Sequence, residues 1–302
     1  MNPMIDEVMQ LKKEKNAVIL AHYYVPDEVQ AVADDIGDSF YLSRAAVKSD
    51  ADVILFAGVS FMGESAKILN PEKTVLLPDA DADCPMAHMA EESVIRKMRE
   101  TYEDLAVVCY INSTAKLKTL SDVCVTSANA VKIVKKLPNQ HIFFIPDRNL
   151  GSYVAQQVPE KEIILNDGYC PVHNDMTADL ARSAKAARPG IKLLVHPECT
   201  ADVLAEADFI GSTSEIIRYA TESPEKEFLI GTEDGVLYKL REKNPDKRFY
   251  TLYDGQVCQD MKKVTLEKVR DSLRYGTAPV EVSEEIRAQA WIPLARMLEL
   301  AK

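Results

Sequence analysis

A chain of 302 residues, 47% hydrophobic and 27% charged, can bury a sizeable core and has room for two or three domains. Its formal net charge of −11 opposes sequence-independent binding to nucleic acid or to an anionic membrane surface, and no apolar run approaches the roughly 18 residues of a membrane span. The start, Met1 to Glu7, has neither a basic stretch nor an apolar core, so no signal peptide is expected, and six cysteines then point to a reducing, cytoplasmic setting.

The predicted elements follow one order three times. A helix over about 4–15 leads to an apolar strand at 17–24, and Pro26 is well placed to open a short helix. A short strand at 36–39, a helix through Arg44 and Lys48, and a strand at 52–57 come next. A helix over 63–69 stops at Asn70-Pro71, a strand at 74–77 leads to Cys84, and a helix covers 91–100. The second round places strands at 106–112, 123–127, 141–145 and 162–165, ending at Cys170. The third places them at 192–196, 209–213, 227–230 and 249–252, ending at Cys258, before a last helix over 284–300.

Fixed markers keep step with this order. Cys84, Cys170 and Cys258 are separated by 86 and 88 residues. Pro71, Pro159 and Pro245, each in an (Asn/Val)-Pro-(Glu/Asp)-Lys turn, are separated by 88 and 86; Ser39, Ser127 and Ser212 by 88 and 85. Short, fully apolar strands alternating with amphipathic helices indicate parallel sheets covered on both faces. The expected fold is therefore α/β, with three pseudo-threefold-related, three-layer αβα domains, each built on a four-stranded parallel sheet. The expected boundaries are 16–102, 103–189 and 190–276, with 1–15 and 277–302 docking as terminal helices. Three equivalent thiols can meet only near a pseudo-threefold axis, a geometry that suggests a metal site.

Ligand crevices of parallel sheets lie beyond the carboxyl ends of the strands. The polar residues at those ends are His22, Tyr24, Ser39 and Cys84 in the first unit, and Tyr110, Asn112, Ser127, Asp147, Arg148, Cys170 and His173 in the second. His196, Glu198, Ser212, Thr213, Glu233 and Cys258 follow in the third. Cys109 and Cys124, inside strand patterns, read as buried apolar filler, and Cys199 stands outside the repeat register. Structural zinc sites usually close four ligands from local C-x₂₋₄-C pairs, and none exists here; three thiolates suit a catalytic zinc less well than an iron–sulfur cluster. A cubane cluster takes one cysteine per iron, so three would leave one iron open as a Lewis acid. Ser39, Ser127 and Thr213 can cap the helices that follow them, or present helix N-termini to an anion. His196 and Glu198, two apart at a strand end, can form an imidazole–carboxylate pair. No G-x-G-x-x-G or Walker A motif is present, which counts against a dinucleotide or ATP enzyme.

These residues resemble the quinolinate synthase family, in its short form, over almost the whole chain. The matching segments are Ala21-His-Tyr-Tyr24, Gly37-Asp-Ser39, Asp83-Cys-Pro-Met-Ala87, Tyr110-Ile-Asn-Ser-Thr114, Thr126-Ser-Ala-Asn-Ala130 and Pro146-Asp-Arg-Asn-Leu-Gly151. Gly168-Tyr-Cys-Pro-Val-His173, His196-Pro-Glu-Cys199 and Gly211-Ser-Thr213 complete the set. The resemblance implies a transferase of NAD biosynthesis that condenses iminosuccinate with dihydroxyacetone phosphate, an oxygen-sensitive [4Fe–4S] cluster held by Cys84, Cys170 and Cys258, and a substrate hand-off from an L-aspartate oxidase. It implies that Tyr24, His196 and Glu198 are catalytic. It further implies that His22, Ser39, Tyr110, Ile111, Asn112, Ser127, His173, His196, Pro197, Glu198, Ser212 and Thr213 bind substrate. Cys258 has no C-x-x-C partner, unlike some relatives, which argues against a thiol–disulfide switch there; His88 and Glu215 also depart from the family's pattern. Two rivals remain: another hydro-lyase with an open iron, and a binding protein whose cysteines are filler.

Overall fold

The structure, a computed structural model, describes residues 3–302; Met1 and Asn2, at the head of the expected 1–15 segment, lie outside the described residues. Twelve strands among the described residues build three four-stranded parallel sheets. They are β1 (Ala17–His22), β2 (Asp35–Gly37), β3 (Val53–Ala57), β4 (Thr74–Leu76), β5 (Leu105–Tyr110), β6 (Val123–Val125), β7 (His141–Ile145) and β8 (Glu162–Leu165). The last four are β9 (Lys192–Val195), β10 (Phe209–Ile210), β11 (Glu227–Gly231) and β12 (Arg248–Thr251). Their orders are β2-β1-β3-β4, β6-β5-β7-β8 and β10-β9-β11-β12. Each sheet thus uses the sequence second, first, third, fourth, and the expected α/β architecture of three sheets is what forms.

The apolar runs explain the choice of strand. Every residue of β5 is buried, as are Ile142 to Ile145 of β7 and Leu193 to Val195 of β9, so both faces of these central strands are covered. Each fully buried Ile, Leu, Val or Phe contributes about 1.5–3 kcal/mol relative to exposure. Around β9 and β11, Leu193, Val195 and Leu229 pack with Met176, Ala181, Cys199 and Val203 in one cluster.

The chain forms two compact units, one of Met1–His88, Ile111–Cys124 and Gln259–Lys302, the other of Met89–Tyr110 and Val125–Cys258. Within the first, the helix Pro3–Glu14 packs on the helix Leu266–Tyr275, and the last helix, Glu284–Leu300, packs on Ser60–Leu69 and Ala115–Lys118. Among the described residues no helix is long and apolar enough to cross a membrane.

The repeated Pro turn has a structural role that recurs three times. Asn70, Val158 and Asn244 end their helices with nearly the same backbone, φ −134° ψ 66°, φ −134° ψ 61° and φ −135° ψ 67°, as a residue before proline must leave the α region. Three residues on, Lys73, Lys161 and Lys247 each donate a backbone N–H to that residue's carbonyl, at 3.1, 3.2 and 3.1 Å. Their ammonium groups reach back to carbonyls in the last turn of another helix or just beyond it: Lys73 to Ser49, Lys161 to Leu137 and Asn139, Lys247 to Ala220 and Ser223. A cation there satisfies terminal carbonyls and opposes the negative end of the helix dipole.

A second triple contact joins the end of each third strand to the loop carrying the cysteine. Ser60 N–H donates to Ala82 O at 2.9 Å, Arg148 N–H to Gly168 O at 2.7 Å, and Asp234 N–H to Gln256 O at 3.0 Å. The three acceptors each lie two residues before Cys84, Cys170 or Cys258. In the second copy the approach is so close that a Cβ on Gly168 would stand 2.6 Å from Pro146 O and 2.9 Å from Met89 Cβ. Gly168→Ala is therefore expected to cost about 1–3 kcal/mol, the usual range for overpacking, read as a lowered denaturation midpoint. An unchanged midpoint would show that the loop yields freely.

Capping corrects one expectation. Asp38, not Ser39, accepts the N–H of Tyr41 at 2.9 Å and caps Ser39–Lys48. Ser212, not Thr213, caps Thr213–Glu222, in a capping box with Glu215. Ser127 stands two residues ahead of Asn129, the residue preceding the helix Ala130–Lys136. Adjacent Asp-Ser and Ser-Thr pairs offer two good cappers each, and the one with extended backbone takes the role.

Candidate active site

In each sheet the chain goes from its first strand to one neighbour and later crosses to the other side, so the switch point lies between the first and third strands. That is where crevices open beyond the carboxyl ends. In the second unit these ends belong to β5, β7, β9 and β11, and the polar residues that follow them are largely buried.

Glu198 lies at the centre, 3% exposed, two residues after His196 and beyond β9. Its Oε2 is 3.1 Å from His173 Nδ1 and 3.2 Å from His196 Nδ1. The two imidazoles, also buried, lie 4.8 Å apart with planes tilted by 35°. His173 Nδ1 is also 3.1 Å from Cys170 Sγ, and its Nε2 is 2.9 Å from Thr232 Oγ1. His196 Nε2 is 3.1 Å from Ser127 Oγ. Cys170 Sγ, His173 Nδ1 and a Glu198 oxygen all lie within 4.8 Å of one another, the arrangement of a metal-binding group.

The network constrains the tautomer of His173. His196 Nδ1 faces both the Glu198 N–H, at 3.3 Å, and the Glu198 carboxylate, at 3.2 Å, while its Nε2 faces Ser127 Oγ. His173 faces a carboxylate and a sulfur on Nδ1, so the proton belongs there, and Nε2 accepts from the Thr232 hydroxyl. The pattern at His196 recurs at the end of β1, where Tyr24 N–H donates to His22 Nδ1 at 3.2 Å and the two rings meet edge to face at 4.5 Å.

Electrostatics follow from burial. Burial pushes the His173 imidazole down to about 4, Glu198 opposes the fall, and the neighbouring His196 adds to it. Burial alone would raise the Glu198 carboxyl; His173, His196 and the Tyr110 hydroxyl outweigh it and hold it below the usual range. Asp147, fully buried, is pushed up by burial and by Glu198, against backbone N–H groups of Leu150, Cys170 and Asn149. Among the described residues Asn112 Oδ1, a buried atom, finds no hydrogen-bond partner of good geometry.

The remaining expected residues fall as follows. Tyr110 ends β5, buried, and Pro197 is buried between His196 and Glu198. Ser212 is fully buried with its hydroxyl bonded to Glu215, and Thr213 is 2% exposed beside it; this box accounts for Glu215. The first unit holds His22, Tyr24, Ser39, Cys84, Ile111 and Asn112. There His88 pairs with Asp83 at 2.6 Å on the surface. The six cysteines divide cleanly: Cys109, Cys124 and Cys199 are 0% exposed, while Cys84, Cys170 and Cys258 are partly exposed and unbridged. Burial pushes the Cys199 thiol well up, which makes it inert. Thr232 and Ser60 escaped the sequence analysis, and Asp83 entered it only within a matching segment; Thr232 could have been found only as the residue following a third strand.

Buried imidazoles, a carboxylate and a thiol, gathered at the carboxyl edge of parallel αβα sheets, define an α/β enzyme with a candidate metal-binding group. The match to known proteins is close. The chain belongs to the quinolinate synthetase A protein family, whose model covers residues 6–299. It is similar to the quinolinate synthase of Caldicellulosiruptor saccharolyticus, 52% identical over 295 residues, 98% of this chain and 97% of that one. The quinolinate synthase of Fusobacterium nucleatum subsp. nucleatum is 53% identical over 298 residues, covering 99% of both chains. That of Clostridioides difficile is 48% identical over 296 residues, covering 98% and 97%.

Proposed function

We propose that this protein is a cytoplasmic enzyme condensing iminosuccinate with dihydroxyacetone phosphate to give quinolinate, phosphate and two molecules of water, a step of NAD biosynthesis. Family membership supports the reaction, and one observation carries it at the site: a buried carboxylate shared by two imidazoles beside a partly exposed thiol. Repeats 16–102, 103–189 and 190–276 each contribute one ligand, Cys84, Cys170 or Cys258, to a [4Fe–4S] cluster. The donor set fits that group, because these thiols are the accessible ones and the other three are sealed in the core. When bound through three cysteines, the cluster supplies one iron with an open position, a Lewis acid that assists loss of water.

The chain's own residues do the rest. Glu198, held as the anion, accepts a proton at Oε1 or Oε2 from carbon or oxygen acids of the substrates. His196, through Nε2, and Ser127, through its hydroxyl, bind substrate carboxylate. His22, Ser39, Tyr110, Asn112 and Thr213 orient the remaining carboxylate and phosphate groups, and Tyr24 stands as the second acid–base group, beside His22. His173, neutral, keeps an N–H on Glu198 and Cys170 without adding a charge. Hydroxyls and N–H groups meet anionic substrates here, so an acidic chain needs no lysine cluster. The imine hydrolyses readily in water, which favours supply directly from an L-aspartate oxidase and a site that excludes solvent.

The test is to incubate the iron- and sulfide-reconstituted protein with both substrates in the absence of oxygen and to assay quinolinate chromatographically. Quinolinate is expected, and activity is expected to fall on exposure to air. A cluster-replete protein that makes none would remove this reading in favour of another hydro-lyase, and a protein that binds no iron would favour a non-enzymatic role.

A further inference from the structure

Two buried carboxylates beyond β7 and β11 lie outside the acid–base and substrate assignments above. Asp147 and Glu233 are both 0% exposed. They occupy one register position of the repeat, with Val59 as the first member, at spacings of 88 and 86 residues. Each uses its two oxygens in the same way. Asp147 Oδ1 accepts the N–H of Leu150 at 2.6 Å, and Oδ2 accepts the N–H of Cys170 at 3.0 Å. Glu233 Oε2 accepts the N–H of Gly235 at 2.7 Å, and Oε1 accepts the N–H of Cys258 at 3.0 Å.

One oxygen therefore fixes the turn after the third strand, and the other holds the amide of a cysteine. A capping role alone would need only the first. The first repeat makes the comparison sharp, because Val59 cannot accept a hydrogen bond. There the cysteine amide is met all the same: Asp83 Oδ1 accepts Cys84 N–H at 2.8 Å and also takes the Ser60 hydroxyl, at the start of the helix after β3. The carboxylate has moved in sequence, one oxygen serves both contacts and a serine hydroxyl replaces a backbone N–H, yet it again joins a cysteine N–H to the turn after the third strand. What recurs is the acceptor at the cysteine amide. A buried carboxylate costs several kcal/mol of desolvation unless such charge-assisted bonds offset it, and a cap of ordinary Ser or Thr would avoid that cost.

We propose that Asp147 and Glu233 are positioning residues that clamp the loops of Cys170 and Cys258 to the ends of β7 and β11, so that both thiols are presented before a cluster binds. This rests on the reading of those cysteines as cluster ligands.

Asp147→Asn and Glu233→Gln each keep the shape but turn an NH₂ group toward one of the two N–H donors. The reconstituted variants are expected to lose iron to a ferrous chelator at least about tenfold faster than wild type, the effect of one hydrogen bond lost to a buried donor, whether or not the thermal midpoint of the cluster-free proteins also falls. Asp147→Glu, the solution already used at position 233, is expected to restore slow release. Wild-type release rates in the Asn and Gln variants, or a lowered midpoint with unchanged release, would overturn the proposal and leave only helix capping. Should a variant fail to fold, amide hydrogen exchange in cluster-free wild type decides. Protected Cys170 and Cys258 amides are expected, and exchange as fast as in an unstructured peptide overturns the clamp. If wild type takes up no iron, the cluster reading fails, while hydrogen exchange still tests the clamp by itself.

Discussion

Alanine at Cys84, Cys170 or Cys258, one position at a time, is expected to abolish or strongly deplete bound iron and sulfide after anaerobic reconstitution. Alanine at Cys109 or Cys124 is expected to leave both at wild-type levels. The difference follows from exposure and position. The first three follow fourth strands in loops that the backbone ties to the ends of third strands, and each has its amide on a carboxylate. The other two sit inside β5 and β6 at 0% exposure, where a thiol is a small apolar filler whose loss costs about 1 kcal/mol. The iron and sulfide content per chain checks this, together with the low-temperature electron paramagnetic resonance of the reduced protein. Wild-type iron in Cys170→Ala would mean that this sulfur is not a ligand.

Glu198→Gln is expected to reduce turnover by about 10²–10⁴-fold, the range of a lost general acid–base group, while iron content stays at the wild-type level. The substitution preserves volume, so packing around a residue 3% exposed is retained. It removes the anion that both imidazoles address at 3.1 and 3.2 Å. Because the loss lies in the proton transfers, kcat is expected to carry the effect and KM to change little. Steady-state kinetics on the reconstituted variant reads both. Turnover within a fewfold of wild type would remove Glu198 from the chemistry.

The three sheets were legible because buried parallel strands are continuous apolar runs, and because Cys84, Cys170 and Cys258 mark the same register. The Pro turns were legible as markers but not as devices. That Lys73, Lys161 and Lys247 would satisfy the carbonyl ends of other helices depends on contacts over 20 residues away in sequence. Helix starts shifted by one where two capping residues stand side by side, as at Asp38-Ser39 and Ser212-Thr213. The pairing of His196 with Glu198 could be read from their spacing, since two residues at a strand end face one crevice. Their link to His173, and that of His173 to Thr232 across 59 residues, left no trace in the pattern. The clamp position was masked for a different reason. Val59, Asp147 and Glu233 share a register but not a chemistry, so only the hydrogen bonds reveal what the cysteine loops have in common.

The most direct measurement is anomalous scattering at the iron edge from crystals of reconstituted protein grown and frozen without oxygen. The expected result is one four-iron cluster bonded to the sulfurs of Cys84, Cys170 and Cys258, with its fourth iron free of any protein sulfur. Iron bound to only some of those residues, or to Cys109, Cys124 or Cys199, would contradict a triplicated fold that contributes one thiolate from each copy.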